Sequence, residues 1–156
     1  MGELIDAPSP EGRILLIEPR RLAAKAAATR LAQSIGEPVG KRVGYSVRNE
    51  QKRSDATSIE AITDGLFLRR LQSQPDLPGV AIVIFDEFHE RRRDSDVALA
   101  LLREARQLLR PDLKLLLMSA TLQLESLAAQ FEGADTLTSQ GRAFPVETLH
   151  SPARQQ

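Results

Sequence analysis

Short apolar runs rich in β-branched residues alternate along this chain with stretches whose apolar residues return every three or four positions. Val80-Ala-Ile-Val-Ile-Phe85 is the clearest run. Six residues are too few for a membrane span and suit a strand buried on both faces of a parallel sheet. Arg13-Ile-Leu-Leu-Ile17 and Lys114-Leu-Leu-Leu-Met118 read as buried strands in the same way. Val43-Gly-Tyr-Ser-Val47 predicts a shorter strand, and the alternation in Ser58-Ile-Glu-Ala-Ile-Thr63 predicts one with a less buried face. Ala23, Ala27, Leu31 and Ile35 mark the buried stripe of a helix, with Pro19 suited to its first turn and Gly36 to its end. A second helix is predicted over 66–72. Val97, Leu101, Ala105, Leu108 and Leu109 form the stripe of a third, ended by Pro111. A further helix over 122–131, a short strand over 135–138 and an extended segment over 141–147 complete the pattern.

Strands that alternate with helices build βαβ units and a parallel sheet with right-handed crossovers. Parallel strands all end on one side, so four polar clusters fall on a single rim. They are Pro19-Arg20-Arg21, Thr63-Asp64-Gly65, Asp86-Glu87-Phe88-His89 and Ser119-Ala120-Thr121. Open sheets of this kind bind ligands beyond the carboxyl ends of their strands. Adjacent acids at such an end offer a hard oxygen ligand for magnesium and a base for a water molecule, the Walker-B arrangement of nucleotide hydrolases. The same dipeptide also suits the first turn of a following helix, where acids favour the dipole. His89 alone reads as an ordinary polar contact. The basic run Lys41, Arg42, Arg48, Lys52 and Arg53 and the charged turn 90–94 read as solvated surface. Only the convergence on one edge favours a functional site, because a structural rim has no need of arginines, carboxylates, an imidazole and hydroxyls together.

Composition narrows the partners. At 156 residues the chain is the size of one domain. Its 21 Lys and Arg balance 21 Asp and Glu, so a nucleic-acid contact must come from a local basic edge. Zero cysteines exclude a disulfide scaffold and thiolate zinc sites and fit a reducing cytoplasm, the expected location. No apolar run approaches ~18 residues, so no membrane contact is expected.

These residues resemble the DEAH-box family of superfamily-2 ATP-dependent helicases. Asp86-Glu-Phe-His89 is similar to motif II, Ser119-Ala-Thr121 to motif III, Pro19-Arg-Arg21 to motif Ia and Thr63-Asp-Gly65 to motif Ib. Val43-Gly-Tyr-Ser-Val-Arg48 and Gly141-Arg-Ala-Phe-Pro-Val146 match further family segments. Phe88 in place of alanine, and Leu-Ile-Glu-Pro-Arg-Arg before the first helix, resemble the bacterial HrpB-type branch. The resemblance implies a RecA-like α/β domain of the P-loop NTPase type, a mainly parallel sheet flanked by helices. It also implies roles. Asp86 would hold magnesium through water, and Glu87 would orient and deprotonate the water that attacks the γ-phosphate of ATP. His89 would link that end of the site to Ser119 and Thr121, which couple hydrolysis to movement. Arg20, Arg21 and Thr63 would contact the phosphate backbone of a nucleic acid, expected to be single-stranded RNA.

Two departures accompany the match. Arg92-Arg93 stands where these helicases usually continue with Ser-Leu. More seriously, the P-loop G-x-x-x-x-G-K-[ST] has no counterpart. Gly40-Lys41 follows Gly36 by three intervening residues, is followed by Arg42, and comes after a helix. The resemblance thus implies a fragment inactive alone and lacking the P-loop strand, which would leave the strand Lys114–Met118 short of one neighbour. Residues 1–12 would be the remnant behind the P-loop, 13–143 a partial first helicase domain, and 144–156 a linker toward a second RecA-like domain. Three other readings stay open: a non-catalytic nucleic-acid- or partner-binding module, a truncated reading frame without independent function, and a metal-dependent phosphoesterase, disfavoured because Asp86, Glu87 and His89 come from one turn with no second ligand cluster.

Overall fold

The computed structural model describes residues 11–120, 131 and 133–139. Residues 1–122 and 123–156 form two units, and the first carries every helix and strand described. β1 (Arg13–Glu18) leads into α1 (Arg21–Ser34), then β2 (Val43–Val47), β3 (Glu50–Lys52) and β4 (Ile59–Thr63). α2 (Asp64–Ser73), β5 (Val80–Phe85), a 3₁₀ turn (Phe88–Glu90), α3 (Arg93–Leu108) and β6 (Lys114–Leu117) follow. The six strands lie in the order β3-β2-β4-β1-β5-β6. β2, β4, β1, β5 and β6 are mutually parallel, and β3 folds back antiparallel on β2.

Strand alternation sorts the core into two faces. Ile14, Leu16, Val43, Val47, Ile59, Ala61 and Ile84 meet Ala24, Ala27, Ala28, Leu31 and Ala32 of α1. On the other face Phe85 meets Phe67 of α2 edge-on, with ring centroids 5.8 Å apart. α3 packs beside α2 and buries Ala98, Leu99, Leu102 and Ala105.

Several expectations shift. The α1 stripe is Ala24, Ala27, Ala28, Leu31 and Ala32, because a strict four-residue spacing drifts about 120° over the twelve residues from Ala23 to Ile35 at 3.6 residues per turn. Pro19 precedes the cap instead of filling the first turn. Arg20 is the extended N-cap, and the proline holds the preceding Glu18 in strand geometry. Gly36 does end the helix. At φ +67° it donates to the Gln33 carbonyl while Glu37 N–H reaches Ala32, a Schellman closure. On α3 the small Ala98 and Ala105 make the close approach, leaving Val97, Leu108 and Leu109 exposed. Pairing of β3 with β2 was not anticipated, since Glu50-Gln-Lys52 has no apolar face. β6 lies at the sheet edge among the described residues, and Leu116 is exposed, so it is not the fully buried strand expected. Residues 135–138 form no strand; Leu137 is their single large apolar residue and buries nothing. Of the helix expected over 122–131 only Phe131 is described, in a bend, and the segment 141–147 lies outside the described residues.

β4 departs most. All five residues are buried, Glu60 at 0% exposure. Arg70 of α2 grips the Glu60 carboxylate with two nitrogens at 2.8 and 3.1 Å, and Ser46 Oγ donates at 2.6 Å. Arg13 and Arg53 stand at 3.6 and 3.8 Å. Burial pushes the carboxyl up, but the Arg70 and Ser46 hydrogen bonds and the arginine charges outweigh it, leaving Glu60 below its ordinary value. Gly44 admits the chain beside this cluster, because a Cβ there would stand 2.6 Å from the Lys52 carbonyl oxygen. Removing one partner from a buried charge network costs about 3–5 kcal/mol. Glu60→Gln should therefore lower stability to that extent in urea unfolding monitored by circular dichroism. A loss below about 1 kcal/mol would show that the network contributes little.

Candidate functional site

The Walker-B turn is pinned from both sides. Asp86 N–H donates to the Ile17 carbonyl at the end of β1, 3.0 Å away. Phe88 N–H donates to the Met118 carbonyl just past β6, also at 3.0 Å. Phe88 is buried and meets Phe85 edge-on at 5.9 Å, so its ring wedges the turn onto the core. Between these anchors Asp86 Oδ1 accepts the Glu87 N–H at 2.8 Å. Glu87 takes the left-handed backbone (φ 50°, ψ 35°), a conformation that costs an L-residue roughly 1–2 kcal/mol. The two acids therefore lead into the short 3₁₀ turn and do not open an α-helix. The first-turn acids of α3 are Asp94 and Asp96.

His89 joins the neighbouring strand end. Its Nδ1 accepts the Ala120 N–H at 3.3 Å, which leaves the hydrogen on Nε2, 3.3 Å from Glu87 Oε2. One imidazole thus links Glu87 to the Ser119-Ala120 segment. Ser119 is half-buried beside this contact, and Thr121 lies outside the described residues. No group of three or more metal-ligating side chains occurs among the described residues. Magnesium ordinarily keeps several waters and takes one or two carboxylates plus phosphate oxygens, so Asp86 as a lone protein ligand fits that habit.

The basic edge adjoins the turn. Arg20 and Arg21 are exposed at the end of β1. Arg20 Nη2 lies 3.3 Å from Glu90, and Arg21 Nη2 lies 4.0 Å from Glu50. Thr63 ends β4 in register with Glu18 and is 9% exposed, so the fold brings it to the rim but not to the surface beside the arginines. β2 is parallel to β4, which carries exposed Arg48 and left-handed Asn49 to the same rim. The pairing of β2 and β3 places Arg48 at a hairpin tip on this rim, while Lys41, Arg42, Lys52 and Arg53 of the same basic run lie toward the opposite end of the two strands.

Sequence reasoning also missed Glu18, although an acid ending an apolar strand directly before proline was the available signal. It is 3% exposed. Burial first, then the charge of Asp86, push its carboxyl up to about 7, with Arg30 opposing and Glu87 adding a smaller push. Its folded value thus exceeds the ordinary 4.5. The neutral form stabilises the fold fully below pH 4.5, and that contribution is lost as pH rises through about 7. Glu18→Gln keeps the group neutral and should raise stability by on the order of 2–3 kcal/mol at pH 8 and far less at pH 5. Urea titrations at both pH values check this; an equal offset at the two would mean Glu18 is ionised throughout.

Comparison with known proteins identifies the family. The family described as DEAD/DEAH box helicase matches residues 2–129. The chain is 46% identical over 150 residues to the ATP-dependent RNA helicase HrpB of Escherichia coli strain K12, covering 96% of this chain and 18% of that protein. It is 40% identical over 142 residues to the Probable ATP-dependent RNA helicase DHR2 of Saccharomyces cerevisiae, covering 91% of this chain and 19% of that one. The crystal structure of the Escherichia coli DEAH/RHA helicase HrpB superposes with a TM-score of 0.86 at 47% identity, over 93% of this chain and 18% of that structure. The mainly parallel, RecA-like architecture holds, and the chain spans about a fifth of the length of these relatives. On its sequence and its fold together, this chain belongs to the DEAD/DEAH box helicase family.

Proposed function

We propose that the chain is part of a DEAH-type ATP-dependent helicase acting on single-stranded RNA. The observation that carries this reading is the rim itself, where Asp86-Glu87, His89 and Ala120 form one hydrogen-bonded unit beside Arg20. The RNA helicase names of the relatives support it. Glu87 accepts a proton from the attacking water, held in place by its contact with His89. Asp86 would hold magnesium through water, and the ion would supply neutralisation of phosphate charge when bound. Through His89, movement of Glu87 reaches the Ser119-Ala-Thr121 segment. Arg20 and Arg21 take backbone phosphates, with Arg48 as a further cation on the same rim. Such contacts read no sequence and suit a translocating protein.

Residues 1–156 contain no P-loop, so γ-phosphate positioning falls to a segment outside them and to a second RecA-like domain. Taken alone, the chain binds nucleic acid without useful hydrolysis. No helix among the described residues is long and apolar enough to cross a membrane, and the lack of cysteine favours the cytoplasm.

Binding of a fluorescein-labelled oligouridylate by the chain, followed by anisotropy across a salt series, tests the nucleic-acid half. Arg20→Ala/Arg21→Ala should weaken binding and shrink the log–log salt slope by about 1.4, at about 0.7 per phosphate contact. An unchanged slope would remove these arginines from the interface. For the hydrolytic half, Glu87→Gln in a protein joining this chain to a P-loop should slow turnover by about 10²-fold or more and leave nucleotide binding intact. Normal turnover there would exclude Glu87 as the base.

A further inference from the structure

Glu90 belongs to none of the roles above, yet it joins the two halves of the rim. Both its carboxylate oxygens lie 3.3 Å from Arg20 Nη2, across 70 residues of sequence. Arg20 is 69% exposed and Glu90 29%. A carboxylate and a phosphodiester each offer a guanidinium two anionic oxygens, so Glu90 stands where a backbone phosphate would dock. We propose that Glu90 is a positioning residue that occupies Arg20 in the free protein and yields it to an RNA phosphate, so that binding at the rim is felt in the turn carrying Glu87. The proposal rests on the nucleic-acid reading of Arg20.

Three observations give the exchange its consequence. First, the pair is solvent-exposed, and exposed ion pairs are weak enough for a phosphate to displace. Second, Glu90 N–H donates to the Glu87 carbonyl at 2.9 Å, so the two acids share one bonded turn. That turn is flanked by left-handed Glu87 and Arg91, at φ 50° and 49°. Backbone held in this way relaxes when a tether is released. Third, Arg92 fixes the far end. Its Nε donates to buried Asp64 Oδ2 at 2.7 Å, and Asp64 Oδ1 accepts the Gly65 N–H at 2.7 Å. With Arg92 tied to the Thr63-Asp-Gly segment, release of Glu90 displaces residues 87–91 and leaves α3 in place. Arg92 is one of the two residues that depart from the usual Ser-Leu.

Glu50 provides the contrast. It stands 4.0 Å from Arg21, but Lys25 Nζ and the Tyr45 hydroxyl hold its oxygens at 2.6 Å each. It is committed to its own cluster and is no placeholder.

Oligouridylate anisotropy with the whole chain tests the proposal. Glu90→Gln and Glu90→Ala should each tighten binding about two- to fivefold. Neither should have an effect in an Arg20→Ala background, and Glu50→Gln should change affinity less than twofold. Saturating RNA should also alter hydrogen exchange at residues 87–91 in the unmodified chain and not in Arg20→Ala. Binding that responds to Arg20→Ala but not to Glu90→Gln, or the same gain with Arg20 removed, overturns the proposal alone. No saturable binding, or binding indifferent to Arg20→Ala, overturns the nucleic-acid reading and this proposal with it.

Discussion

Parallel hydrogen bonding of β5 between β1 and β6 is the constraint on which the site depends. Because all three strands run the same way, their carboxyl ends must emerge together. The bonding then continues past the strand, from Asp86 to Ile17 one residue on and from Phe88 to Met118 three residues on. Two backbone bonds and one buried aromatic ring thereby hold Glu87 in a left-handed conformation it would not adopt alone. Any change that loosens β6 reaches the acid through Met118.

Electrostatics is organised at two depths. Under the sheet, Glu60 is sealed among arginines and acts as a structural clamp, with hydrogen bonds offsetting its desolvation. At the rim the pairs are exposed and exchangeable, as in Arg20 with Glu90. Burial decides which role an ion pair takes, since the interior leaves a lone charge nowhere to go and water does. Glu18 lies between the two regimes. It is buried like Glu60, but Asp86 and Glu87 face it and only the charge of Arg30 opposes them, so its carboxyl rises where that of Glu60, hydrogen-bonded by Arg70 and Ser46, falls.

Helix placement shows how tertiary contacts override pattern. Of the residues spaced for a stripe on α3, Ala105 is buried as expected but Val97, Leu108 and Leu109 are exposed, and Ala98, Leu99 and Leu102 are buried in their stead. Periodicity ranks positions by apolar size, but packing beside α2 selects the side of the helix that faces it.

By itself, the sequence determined the alternation of strands and helices, the bounds of β5, and the gathering of Pro19-Arg20-Arg21, Asp86-Glu87-Phe88-His89 and Ser119-Ala120 on one rim. Apolar runs and polar strand ends are local signals, and parallel pairing converts them directly into place. Only the tertiary structure decided that Glu60 is buried, that Arg48 reaches the rim, that Glu18 sits against Asp86, and that Glu90 and Arg92 grip Arg20 and Asp64. Each of these depends on partners 10 to 70 residues apart in the chain. A charge in sequence carries no record of which opposite charge the fold will bring to it.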